Sequence, residues 1–327
     1  MQTEFQLDPR GGHNRYNCNF DFFKHWTDEM AYVLGFLYAD GDIVDAISSR
    51  TQYIEFLSAD KEILEKIRVV MRSEHPLHVR PPQMHVHKNG IYKSRELFIL
   101  RIGSRRMFND LIRLGVIPNK SKISTFPIVP VSYLDHFIRG YFDGDGCIFL
   151  QLAKGKKIKT IIKKLSVIFT SGSKIFLEGL NFNIRKIIDL RQDKVYNSHH
   201  SYQLRYSTSD SIQLFKFLYK IVPQKNIYLK RKFKIFLKFF LLRPLKIDED
   251  IKKILENLNY GHVAKKQTLR SAKPLYVGAN PTVASKRCPP GWRNGLRTTL
   301  KMLRSYDHVG SSPTPGTTNP PPLLVGD

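Results

Sequence analysis

Apolar residues recur at helical spacing up to two acidic segments, one ending at Asp40 and the other at Asp145. Each predicts a helix that runs out at an Asp-Gly pair. Behind them, Gln52–Leu57 and Leu165–Thr170 alternate apolar and polar side chains, as strands with one buried face do. Helical spacing returns over Lys61–Met71 and Lys174–Ile188. Further strands are expected at His75–His87, Arg95–Ile102 and Tyr202–Tyr206, and closing helices at Arg106–Leu114 and Ser209–Tyr219. A basic, strongly apolar segment, Tyr228–Leu242, follows.

This order occurs twice. Val33–Gly41 (VLGFLYADG) aligns with Ile138–Gly146 (IRGYFDGDG), placing Gly35, Asp40 and Gly41 on Gly140, Asp145 and Gly146 at an offset of 105 residues. Leu100-Arg101 falls on Leu204-Arg205 at 104, and Ile117–Lys120 falls on Val222–Lys225 at 105. Separate matches at nearly one offset indicate a duplicated unit with pseudo-twofold symmetry. The expected organisation is a polar lead-in at 1–27, a first repeat at 28–128, a second at 129–260 and a tail at 261–327.

The tail loses apolar periodicity and gains Pro, Gly, Ser and Thr. Pro290–Gly295 and Gly310–Thr318 can be encoded by sequences resembling the two complementary ends of a bacterial leucine transfer-RNA gene, with Leu300–Met302 fitting an anticodon loop. The expectation is a reading frame that runs on through such a gene; an ordinary disordered basic tail is the other reading.

Composition narrows the partner. The chain has 53 Lys and Arg against 28 Asp and Glu, a formal charge of +25. Setting aside the ten basic and two acidic residues after position 260 leaves +17, so the charge belongs to the repeats. Such an excess calls for a polyanion, either nucleic acid or an anionic membrane. No apolar run is long enough for a membrane span, and the polar start is unlike a secretory signal, which favours nucleic acid. Cys18, Cys147 and Cys288 are scattered without a CxxC pair, against a disulfide framework or structural zinc site. A reducing interior is expected, a bacterial cytoplasm ahead of an organelle.

The acidic segments carry the candidate chemistry. Gly35 and Ala39 lie four apart on one helix face, as do Gly140 and Gly144. Small residues at this spacing let two helices approach closely. Their C-terminal ends would then bring Asp40 and Asp145 side by side. Paired carboxylates repel unless a hard cation is shared, and Mg²⁺ takes oxygen ligands while keeping several waters. Such a centre facing a phosphodiester suits metal-assisted hydrolysis. Either motif alone reads equally as a helix end closed by a glycine cap; their repetition favours the shared cation.

VLGFLYADG and IRGYFDGDG resemble the paired motifs of the double-motif LAGLIDADG homing endonucleases. The resemblance covers about residues 28–245 and departs at Leu34, Tyr38 and Arg139. It implies an α+β fold of two αββαββα repeats whose antiparallel sheets form a saddle-shaped DNA-binding surface. It implies a monomeric endonuclease, using Mg²⁺ with Mn²⁺ able to substitute, that breaks both strands of a long duplex and promotes intron homing. The family's catalytic, metal-binding acid is the last before the final Gly, hence Asp40 and Asp145; Asp42 and Asp143 are bystanders, Asp143 as a helix-end or local hydrogen-bonding group. Arg139 would point away from the helix seam. The flanks Leu114–Lys122 and Tyr228–Lys232 also resemble the family. Its basic residue near the cleavage centre falls on Lys120 and Lys232, with Lys122 and Lys225 as alternates.

Candidate DNA contacts are Arg50, Gln52, Arg80, Gln83, His85, Lys93, Gln203 and Arg205, residue types that read base edges or hold phosphates. Lys157 and Lys159 lie in a lysine-rich stretch, Lys154–Lys164, readable as strand or loop. His85–Arg95 reads as a basic-tipped hairpin; His85 and His87 share a strand face but lack a third zinc ligand nearby. Two rivals on the same fold are a maturase that binds intron RNA and a DNA-binding regulator that has lost catalysis. Intein membership lacks a splicing block.

Overall fold

The computed structural model describes residues 16–46, 51–87, 90–118, 125–154, 160–198, 200–220 and 227–265. Helix α1 (Asp28–Asp40) begins where the Thr27 hydroxyl accepts the Met30 N–H at 3.1 Å, with Asp28 and Glu29 in its first, positive turn. From Met30 to Tyr38 every residue is buried, so α1 is a central helix rather than a surface one. It passes directly into β1 (Gly41–Ala46), which pairs antiparallel with β2 (Thr51–Ser58). Helix α2 (Lys61–Val70), β3 (Leu77–Arg80), β6 (Leu97–Gly103) and α3 (Arg105–Arg113) complete the first repeat.

The second repeat uses the same order: α4 (Leu134–Asp145), β7 (Gly146–Lys154), β8 (Thr160–Ser171), α5 (Lys174–Arg185), β9 (Val195–Ser198), β10 (Ser201–Arg205) and α6 (Thr208–Tyr219). The sheets have matching orders, β1-β2-β6-β3 and β7-β8-β10-β9. Their registers also match. Gly41 faces Phe56, which faces Leu100; Gly146 faces Phe169, which faces Leu204. Ile54, Phe56, Leu100 and Ile102 point into the core on one side, and Val167, Phe169 and Leu204 on the other. The expected α+β fold with two αββαββα repeats is what the chain forms.

Between Arg80 and Leu97 the first repeat carries a hairpin of β4 (Met84–His87) and β5 (Gly90–Lys93), a two-stranded sheet separate from the four-stranded one. There the His85 ring stacks on Tyr92 at 5.3 Å between centroids. The single strand expected over His75–His87 is therefore two strands in different sheets. Pro81 and Pro82 separate them, having no N–H to give a ladder. The lysine-rich stretch is strand at both ends, with Thr160 opposite Lys154; a bulge between Gln151 and Leu152 offsets the ladder.

After α6, α7 (Lys230–Leu242), α8 (Glu249–Asn257) and α9 (Gly261–Lys265) have no counterpart among the described residues of the first repeat. Phe215 of α6 seats α7 against Phe233, Phe236 and Phe240, at centroid distances of 5.8, 5.0 and 4.9 Å. Helix α9 lies just past the boundary expected at 260. Among the described residues no helix is long and apolar enough to cross a membrane.

Candidate active site

Helices α1 and α4 meet through two glycines. A Cβ on Gly35 would lie 1.9 Å from the Phe137 carbonyl oxygen, and one on Gly140 would lie 2.0 Å from that of Tyr32. Each glycine thus receives the other helix's backbone, as pseudo-twofold symmetry requires. One turn on, a Cβ at Gly144 would stand 2.4 Å from the Ala39 Cβ. The same point is 3.4 Å from Asp40 Oδ2, so the Asp40 carboxylate lies over the last turn of α4, beside the residue that precedes Asp145. The small-residue seam brings the two acidic ends together, and both aspartates are half-buried.

The glycines after them are not left-handed caps. Gly41 (φ −116°) and Gly146 (φ −72°) are extended and lead straight into β1 and β7. Glycine is needed there for space: a Cβ would meet Leu37 Cδ1 at 2.4 Å or the Phe142 carbonyl oxygen at 2.4 Å. Each carboxylate therefore sits at a rigid helix-to-strand corner.

Among the described residues no group of three or more His, Cys, Asp or Glu side chains is placed to hold a metal. Two half-buried carboxylates suit a hard ion that completes its shell with water and phosphate oxygens, as Mg²⁺ does.

Lys232 comes to this centre from the first turn of α7. Its side chain is buried, and Nζ donates to the carbonyl oxygens of Phe142 (2.5 Å), Asp143 (2.6 Å) and Gly144 (3.2 Å). All three ammonium protons go to carbonyls of the last turn of α4, where the helix dipole favours a cation; of these the Phe142 oxygen also accepts the Gly146 N–H. Burial, with the charge of Arg231, pushes its pKa down to about 8 against the pull of Asp143 and Asp40. The expected basic residue is thus beside the acidic pair, with its protons committed to holding the corner. Lys120, Lys122 and Lys225 lie outside the described residues.

Asp143 is fully buried, and Oδ2 accepts from the Tyr32 hydroxyl at 2.7 Å and the Leu229 N–H at 2.8 Å. Burial raises its pKa; Lys232, Tyr32, Leu229 and Arg139 act against that. It is the local hydrogen-bonding group expected, but across three helices. Tyr38 holds the same place in the first motif, its buried hydroxyl without a partner among the described residues and its ring stacked on Phe176. Arg139 points away from the glycine seam, as expected, yet is wholly buried. It donates to the Leu218 carbonyl at 2.8 Å and to His136 Nδ1 at 2.7 Å.

The candidate DNA contacts separate into groups. Gln52 is half-buried on β2 opposite Asp45, and Arg80 is half-buried on β3. Gln83 is exposed; His85 and Lys93 belong to the separate hairpin. Arg205 is exposed on the sheet face opposite the core, where Nε donates to Gln203 Oε1 at 2.9 Å. Gln203 itself is only 1% exposed, which corrects its reading as a surface contact: it orients Arg205. Arg50, Lys157 and Lys159 lie outside the described residues. Arg101 was missed as a candidate. It is the register equivalent of Arg205, its Nε and one terminal nitrogen both donating to Glu55 Oε2, and it lies over the Tyr53 ring at 4.6 Å. The signal was its alignment on Arg205 in the repeat.

Residues 132–218, nearly all of the second repeat, match the family model for a LAGLIDADG-like domain. Among solved structures the chain is similar to the homing endonuclease I-WcaI bound to its DNA recognition sequence, at 16% identity over 69% of this chain and 96% of that one, TM-score 0.44. It is similar to the LAGLIDADG homing endonuclease I-LtrWI bound to target DNA, at 15% identity over 76% and 98%, TM-score 0.43. It is also similar to I-DmoI in complex with DNA and Mn, at 13% identity over 58% and 96%, TM-score 0.37. No curated protein sequence matches it. What the comparisons identify is a segment, residues 132–218, that matches the model for a LAGLIDADG-like domain.

Proposed function

We propose that this protein is a site-specific DNA endonuclease that makes a double-strand break in a long duplex by Mg²⁺-dependent hydrolysis and thereby promotes homing of an intron or intervening sequence. The observation that carries this reading is the pair of half-buried carboxylates, Asp40 and Asp145, set beside one another by mutually packed glycines in a chain of charge +25.

Asp40 and Asp145 are the residues that would hold the metal, each supplying hard oxygen ligands from its helix-to-strand corner. When bound, Mg²⁺ supplies Lewis acidity to the phosphodiester and lowers the pKa of water. Lys232 keeps the end of α4 fixed and adds positive charge next to Asp40, easing the repulsion between two carboxylates before any ion arrives. The exposed arginine at position 205 and its equivalent Arg101 face away from the core, where a duplex would meet the sheets. Base edges in the major groove are read by such side chains, and the net charge draws the phosphates. Mn²⁺ is expected to substitute for Mg²⁺. One chain supplies both acids, so the monomer is the acting unit.

The test is cleavage of a plasmid library that includes the DNA flanking the gene, with Mg²⁺ and with chelator. Metal-dependent double-strand cutting at one site supports the reading. Cutting that persists in chelator contradicts it. Tight duplex binding without cutting would mark a regulator, and tighter binding to an intron transcript a maturase.

A further inference from the structure

We propose that Asp143, the first acid of the second motif, is a positioning residue that sets Lys232 through the first turn of α7. The catalytic consequence rests on the nuclease reading; the geometry does not.

The contacts form a closed circuit. Asp143 Oδ2 accepts the Leu229 N–H at 2.8 Å, and Leu229 is the residue from which α7 starts. The Leu229 side chain cannot cap that helix; what fixes its start is the hold of Asp143 on the Leu229 N–H. The Leu229 carbonyl in turn accepts the N–H groups of Lys232 (3.1 Å) and Phe233 (3.2 Å). Both backbone polar groups of Leu229 are thereby held. One turn on, the Lys232 ammonium returns to the carbonyl of Asp143 itself and to those on either side. Asp143 thus fixes the start of α7 with its side chain and receives the lysine with its backbone. The Tyr32 hydroxyl, donating to the same carboxylate oxygen at 2.7 Å, ties the circuit to α1. Tyr32, Asp143, Leu229 and Lys232 are all buried, so these bonds face little competition from water.

The first motif has no such carboxylate. Tyr38 stands in its place, and its hydroxyl finds no partner among the described residues. This explains the unequal spelling of two motifs that keep the same last acid: the second helix receives α7, an element with no counterpart among the described residues of the first repeat. The closing turn of α4 carries Asp145, and Lys232 lies beside Asp40, so displacing the lysine disturbs both acids at once.

The experiment has two arms on the full-length protein. In the first, amide hydrogen exchange is followed without DNA or metal for wild type, Asp143→Ala and Asp143→Asn. The circuit predicts exchange at residues 229–233 at least about tenfold faster in Asp143→Ala, with Asp143→Asn in between because its amide oxygen can still accept from Leu229. Unchanged protection of that turn in both variants would overturn the proposal. In the second arm, single-turnover cleavage is measured for Asp143→Ala, Lys232→Met and the double variant. Each single change should slow cutting by about 10–100-fold, as removal of supporting partners at metal centres does. The double variant should be within about twofold of Lys232→Met, because Asp143 acts through the lysine. Losses that multiply would show that Asp143 acts separately and overturn the proposal. A wild type that cut no duplex would count against the nuclease reading alone, and the exchange arm would still decide the circuit. Should Asp143→Ala fail to fold, Asp143→Asn serves in both arms with the same non-additivity expected.

Discussion

Replacing Gly35 with alanine tests the helix seam with an unusually clear sign. A Cβ at that position would lie 1.9 Å from the Phe137 carbonyl oxygen, 2.8 Å from its carbon and 3.0 Å from the Tyr141 nitrogen. Close carbon–oxygen contacts begin near about 3.3 Å, so the two helices would have to separate by roughly 1.4 Å. All three obstacles are backbone, and no side chain can swing aside. Overpacking of this kind costs about 1–3 kcal/mol. On an unpacked helix the same change would stabilise by about 1 kcal/mol, since alanine is the better helix former. We expect Gly35→Ala to lose about 2 kcal/mol or more in guanidinium unfolding followed by circular dichroism, with Gly140→Ala behaving alike because its Cβ would meet the Tyr32 carbonyl oxygen at 2.0 Å. In any variant that still folds, the retreat also parts Asp40 from the last turn of α4, so cutting should fall further than stability. A Gly35→Ala protein as stable as wild type, or more stable, would refute the close approach.

Three further outcomes follow from the buried charges and the outer sheet faces. Burial and the Arg139 charge push the His136 pKa down to about 3, from an ordinary 6.5. Its contribution is complete above pH 6.5 and drains as pH falls toward 3, by about 2 kcal/mol at pH 5. Asp135, raised to about 6 chiefly by burial, works in the opposite sense below pH 6, and Asp28 lies 3.3 Å from His136 Nε2. His136→Gln should therefore become relatively more stable than wild type on going from pH 7 to pH 5 in unfolding titrations; parallel pH curves would contradict it. Arg205→Ala should weaken duplex binding by about 1–3 kcal/mol in fluorescence anisotropy and relax the preference at one base pair, and an unaltered affinity would remove Arg205 from the interface. Glu55→Gln, which frees Arg101 from its carboxylate partner, should tighten binding in the same assay, and weaker binding would contradict that role.

The repeat was legible because symmetry writes itself into sequence. An offset of 104–105 residues located both acidic corners, both glycine seams and the equivalence of Arg101 with Arg205. Periodicity also placed the helices well: α2, α3, α5 and α6 lie where apolar spacing put them, with ends shifted by up to three residues. Polar partners inside the core were not legible. Asp143 meets Tyr32 from 111 residues away and Leu229 from 86, and Lys232 closes on the Phe142 carbonyl from 90. Alternation tells which face a residue presents, but not which distant group will satisfy it. For the same reason Arg139 could be placed off the seam without its burial against Leu218 and His136 being foreseen. The departure of Tyr38 from the family pattern was visible, but its reason was not, since it depends on a helix with no counterpart among the described residues of the first repeat. The break at Pro81-Pro82 was legible and should have divided the strand expected across it.

The central claim is that Asp40 and Asp145 act together as one hydrolytic centre. The most direct measurement is single-turnover cleavage of the cognate duplex in Mg²⁺, resolved strand by strand, by wild type, Asp40→Asn and Asp145→Asn, with duplex affinity measured in parallel. Each substitution should leave binding within about threefold yet lower cutting by at least about a hundredfold, since an amide keeps the shape but not the charge that a hard cation requires. Cutting at the wild-type rate in either variant would contradict it.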